Sequence, residues 1–155
     1  MKEITPITIC VDADGTAFTH DYPKIGKDIG AAPVLRKLVA NGHRLILWTM
    51  RSDKRLGIVD NNNKHHNPNN YLQQAVNWFK DNGIELYGVN HNIGQSAWTD
   101  SPKCLSDLVI DDSALGIPLL TGLVDHEKGI DVPVHDRPFV DWEKVEKMLI
   151  ERNIL

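Results

Sequence analysis

Four short apolar runs constrain the fold of this chain more than any other feature of its sequence. They are ITICV at 7–11, RLILWT at 44–49, IELYGV at 84–89 and DLVI at 107–110. The first is broken only by Thr8, so it lacks the apolar–polar alternation of a strand with one wet face and suits burial on both faces. Helical patterns lie between the runs. Pro33 fits the first turn of a helix carrying Val34, Leu35, Leu38 and Val39 on one side, with Gly42 as its stop. A second helix from Asn69 or Asn70 places Leu72, Ala75, Val76 and Phe79 at three-and-four spacing and closes at Gly83. A third starts near Asp141 and sets Trp142, Val145, Met148 and Leu149 on one face. Buried strands alternating with amphipathic helices predict βαβ units, hence an α/β fold: a three-layer α/β/α sandwich around a mostly parallel, Rossmann-like sheet.

At 155 residues the chain fits one domain, 1–155, with a single hydrophobic core. The segment DNNNKHHNPNN at 60–70 offers nothing to pack and is expected as an exposed polar loop. A net charge of -4 argues against general adhesion to nucleic acid or to an anionic membrane. No stretch approaches the roughly 20 apolar residues of a membrane span, and no secretion signal is visible, so a cytoplasmic location is expected. Cys10 and Cys104 form neither a disulfide framework nor a zinc pattern and read as reduced thiols. His65 and His66 lie in the polar loop, and His91, His126 and His135 show no metal-ligand spacing.

Asp12 and Asp14 follow the first run, Thr49 ends the second, and Asp111 with Asp112 follow DLVI. In an open parallel sheet the carboxyl ends of the strands form the ligand crevice, so these dispersed residues are expected to meet there. Carboxylates gathered at one edge repel: two unit charges 4 Å apart cost about 4 kcal/mol at an effective dielectric of 20. Positive charge must offset this. Lys103, ahead of the last run, can supply one charge, and Mg2+ suits an all-oxygen site that also accepts phosphate oxygens.

The set Asp12-Ala13-Asp14-Gly15-Thr16, Thr49, Lys103 and Asp111-Asp112, in that order, resembles the signature of the haloacid dehalogenase-like (HAD) phosphohydrolases. HDYPKIG at 20–26 and LWTMR at 47–51 are similar to segments of small bacterial and phage members of that family. The resemblance implies a magnesium-dependent phosphomonoester hydrolase in which Asp12 attacks phosphorus to give an aspartyl-phosphate. It makes Asp14 the general acid and base. Thr49 and Lys103 would hold the transferring phosphoryl oxygens, and Asp12, Asp14 (through its main chain), Asp111 and Asp112 would hold the metal. Gly15 would permit the turn that aims Asp14, while Thr16, His20 and Arg51 would border the substrate. Ala13 stands where a larger apolar residue is common.

Counted from Asp12, the sixth and twelfth positions of a calcium-binding EF-hand loop hold Ala17 and Pro23, which rules that loop out. No G-x-x-x-x-G-K-[ST] loop is present, so a nucleotide-dependent kinase is not expected. A phosphotransferase using the same aspartyl-phosphate, or a receiver-like phosphate sensor, stands as the alternative. Larger HAD relatives insert a cap domain between the first and third motifs; the intervals here hold no domain. A capless, open site admits phosphate on a macromolecule, or relies on a second copy of the chain as the lid; the partner expected is a phosphorylated substrate, small molecule or macromolecular phosphate.

Overall fold

The computed structural model describes residues 3–54, 62, 68–121, 123–125, 130–132 and 137–155. The apolar runs become the centre of a four-stranded parallel sheet. Strand β1 is Thr8–Val11, followed by helix α1 at Ala31–Ala40, β2 at Arg44–Leu47, helix α2 at Tyr71–Asp81, β3 at Gly88–Val89 and β4 at Leu108–Ile110. The order across the sheet is β3-β2-β1-β4, so β1 lies inside. Val11 pairs in register with Leu47 on one side and Ile110 on the other, which brings the ends of β1, β2 and β4 level. All four residues of β1 and the last three of β2 are buried, as unbroken apolar runs require. Ala13 is also fully buried, so the small residue there serves packing.

The helices follow the periodicity. α1 buries Val34, Leu35 and Leu38, and Pro33 lies in its first turn. The first turn of α2 gains its cap from outside the helix: Asp53 Oδ1 accepts the backbone N–H groups of Leu72 (2.9 Å) and Gln73 (3.1 Å), which ties the loop after β2 to that helix. Helix α3, Trp142–Glu151, is capped by Asp141, whose Oδ1 accepts from the Lys144 N–H at 3.2 Å.

The structure departs from the sequence expectation in two places. The third run forms a strand only over its last residues, because Ile84 turns into the core and donates its N–H to Phe79 O (2.9 Å) to close α2. Between 111 and 141, where the sequence suggests no strand, lie β5 (Leu119–Leu120), β6 (Leu123–Asp125), β7 (Ile130–Val132) and β8 (Phe139–Val140), paired antiparallel as β5-β8 and β6-β7. Ladders of two or three residues are too short to carry a periodic signal.

Most of the 60–70 loop lies outside the described residues, as do His65, His66, His126 and His135. At the loop's end Asn69 N–H donates to Lys54 O at 2.9 Å, closing its base. Both cysteines are free thiols with their sulfurs 3.5 Å apart, and burial pushes the Cys10 thiol up to about 12. No helix of the described residues is long and apolar enough to cross a membrane.

Candidate functional site

The chain leaves β1 into a tight turn at 12–18. Asp12 N–H still donates to Ile110 O (3.0 Å), prolonging the β1–β4 ladder by one bond, and Ala17 N–H then donates back to Ala13 O (2.8 Å). Gly15 makes the turn, at φ +79, a left-handed conformation that a side chain resists. Its carbonyl accepts from Val140 N–H (2.9 Å), and Trp142 Nε1 donates to Thr16 O (2.7 Å). The turn is therefore held by β8 and α3 as well as by itself.

This places the carboxylates of Asp12, Asp111 and Asp112 together: one oxygen from each lies within 4.8 Å of the others. Asp111 Oδ1 accepts both the N–H and the hydroxyl of Ser113, at 2.8 and 2.7 Å, which fixes its rotamer. Asp112 is held from two sides. Its N–H donates to Thr16 Oγ1 at 3.0 Å, and its Oδ2 lies 2.9 Å from His20 Nε2. Thr16 is fully buried, so its role is to anchor Asp112. Burial first, then repulsion from Asp111, Asp112 and Asp14, pushes the Asp12 carboxyl up to about 7, against a lowering hydrogen bond from the Ala13 backbone.

The triad opens on a cavity of about 1140 Å³ running along the ends of β2 and β3. Thr49 lines it, with its N–H donating to Asn90 Oδ1 (2.7 Å) and its Oγ1 accepting from Arg51 N–H (3.2 Å), which leaves the hydroxyl proton available. Asn90 does this from the left-handed region, φ 52, which Asn tolerates better than most residues. Nothing local in the sequence marks it, since its partner is 41 positions away.

Arg51 lines the cavity, as expected of a residue bordering the site, whereas Lys103 does not. Arg51 is buried and forms a two-pronged pair with Asp14, Nε to Oδ2 and Nη2 to Oδ1, both at 2.7 Å. Its remaining N–H groups go to the carbonyls of Pro23, Lys24 and Tyr71, so none is left for a substrate. Lys103 is exposed and does not line the cavity, and among the described residues no ion pair joins it to the aspartates. Arg137 does line the cavity, two residues ahead of the strand that holds Gly15, and it has no ion pair among the described residues. Sequence reading passes over it because only the pairing of Val140 with Gly15 brings it near.

The chain is thus an α/β protein with an acidic metal-type cluster at the carboxyl edge of a parallel sheet. No family model matches it, and no curated protein matches it. A solved structure described as the conserved protein coded by locus from Bacteroides thetaiotaomicron is similar to it, at 30% sequence identity and a TM-score of 0.65, over 96% of this chain and 93% of that one. The chain belongs to the family of that protein.

Proposed function

We propose that the protein is a magnesium-dependent phosphomonoester hydrolase with a HAD-type, three-layer α/β/α architecture and no cap domain. The observation that carries this reading is the triad Asp12, Asp111 and Asp112, within 4.8 Å, at the floor of an open cavity. The donor set fits Mg2+: three carboxylates of hard oxygen, in a site where mutual repulsion and burial already oppose ionisation of Asp12. When bound, the ion supplies positive charge against the phosphoryl oxygens.

In this reading an Asp12 oxygen forms a bond to phosphorus as the ester P–O bond breaks, and Asp14 gives a proton to the departing alkoxide. Water then bonds to the same phosphorus, the aspartyl–phosphate bond breaks, and Asp14 takes the water's proton. The products are the free alcohol and inorganic phosphate. The Thr49 hydroxyl donates to a phosphoryl oxygen. Arg137 takes the part expected of Lys103, because it lines the cavity and, unlike Arg51, is not committed to Asp14 and backbone carbonyls.

Two measurements follow. Phosphate release is expected from a panel of phosphorylated metabolites, phosphopeptides and 3′- or 5′-phosphate oligonucleotides, abolished by a chelator and restored by Mg2+; no release across the panel would overturn the reading. For the cation, Arg137→Gln is expected to weaken inorganic phosphate binding by roughly 10-fold, the loss of one charge-assisted contact, and Lys103→Gln by less than about 2-fold. Titration calorimetry with Mg2+ present reads both, and the reverse ranking restores Lys103.

A further inference from the structure

We propose that Arg51 is the positioning residue for Asp14: it fixes the rotation of the carboxylate that exchanges protons with the leaving group and with water. The inference rests on the phosphatase reading above. A guanidinium carries five N–H donors in a rigid fork, and here every one is used inside the protein. Two meet Asp14, two meet the Pro23 and Lys24 carbonyls at 3.0 and 2.7 Å, and one meets Tyr71 O at 3.3 Å. The rings of Phe18 and Tyr22 lie on the guanidinium at 5.5 and 5.3 Å. Arg51 therefore joins three segments: the turn bearing Asp14, the stretch that follows it, and the start of α2.

Burial separates the two partners. The Arg51 side chain is 1% exposed and that of Asp14 is 18%, so of these two residues at the cavity wall Asp14 is the one that meets solvent. A carboxylate offers about four acceptor sites, two on each oxygen. The fork uses one on each, so each oxygen keeps one for the cavity side. Two parallel bonds stop the carboxylate from rotating about its Cβ–Cγ axis, which one ammonium group would not do. A wall residue that merely filled space would have no need of a fork aimed at the group that handles the proton.

A misplaced acid shows in which substrates suffer. An aryl ester with a stabilised leaving group, 4-nitrophenyl phosphate, departs without a proton, whereas an alkyl ester, glycerol 2-phosphate, does not. Arg51→Lys is expected to lose roughly 10- to 100-fold in kcat/KM on the alkyl ester and under about 3-fold on the aryl ester, the pattern of impaired acid catalysis; kcat/KM reports the cleavage of the ester bond, whereas kcat also contains the water step that both esters share. Asp14→Asn should show the same selectivity, more strongly. Tyr22→Leu provides a second variant that folds, since Tyr22 is 61% exposed, and should show a weaker form of it. Circular dichroism and a thermal melt establish folding.

Equal losses of kcat/KM on both esters in the folded variants would overturn the assignment, as would a raised KM with kcat intact, which marks a phosphate contact. If the wild-type protein cleaves neither ester and binds no inorganic phosphate, the phosphatase reading fails first and this assignment with it. Wild-type turnover without the selective loss removes only the role of Arg51.

Discussion

Asp12→Asn is expected to fold, to lose phosphatase turnover by roughly 10³-fold or more, and to become more stable than the wild type in metal-free solution at neutral pH. The first effect removes the oxygen that bonds to phosphorus. The second comes from the cost of ionising this carboxyl. Its folded-state pKa, about 7, lies above the ordinary 3.8, so the folded protein holds the proton more tightly than the unfolded chain does. Below about 3.8 both states are protonated and the group is neutral to stability. As pH rises toward 7 the unfolded chain gives up its proton first, and stability falls; above 7 the full cost is present. Discounted for the partial exposure of Asp12, that cost is on the order of 2 kcal/mol. Asparagine cannot ionise, so the variant lacks this component. Urea denaturation with a chelator present, at pH 5 and pH 8, reads the difference: the wild type should lose stability across the interval by more than the variant. Matching slopes for the two proteins would mean that the carboxyl is not destabilised by its surroundings. Added Mg2+ should narrow the gap at pH 8, because binding recovers the ionised carboxylate.

Local signals in the sequence give the sheet's inner strands and all three helices, because each carries its own periodicity: unbroken burial for Thr8–Val11 and Arg44–Leu47, three-and-four spacing for α1, α2 and α3. The acidic triad is equally legible, since the parallel register brings Val11 and Ile110 side by side and leaves Asp12 next to Asp111 and Asp112. What escapes reading depends on pairings without a local pattern. β8 is two residues long, yet its bond from Val140 to the Gly15 carbonyl decides that Arg137 reaches the cavity. Arg51 is read from its motif as a residue bordering the substrate. Its partners are two carboxylate oxygens 37 positions back and carbonyls 28, 27 and 20 positions away, and no spacing rule connects them. Lys103 differs in the opposite way: its place in the motif order matches, while its neighbours Pro102 and Cys104, and not Lys103 itself, line the cavity.

Gly15→Ala should be the most damaging single-methyl change for metal binding among the described residues. The φ of +79 makes any side chain there costly, about 1–2 kcal/mol for an L residue in the left-handed region. The backbone cannot relax out of that region cheaply, because Gly15 N–H donates to Phe18 O (2.7 Å) and its carbonyl accepts from Val140. The new Cβ would lie 2.1 Å from His20 Nε2 and 2.6 Å from Asp112 Oδ2. Both are ends of side chains, so they can move, and the movement is the damage: Asp112 is pushed out of the triad. The expected result is a modest drop in thermal stability with a loss of at least about 10-fold in Mg2+ affinity, the order seen when groups that orient a metal's ligands are disturbed. Adding His20→Ala to the variant removes the nearer obstacle and should recover part of that affinity without restoring the stability lost to backbone strain. Isothermal titration with Mg2+ separates the two effects. An alanine variant that binds the ion as tightly as the wild type would show that Asp112 is dispensable to the cluster, and the donor set would then reduce to Asp12 and Asp111.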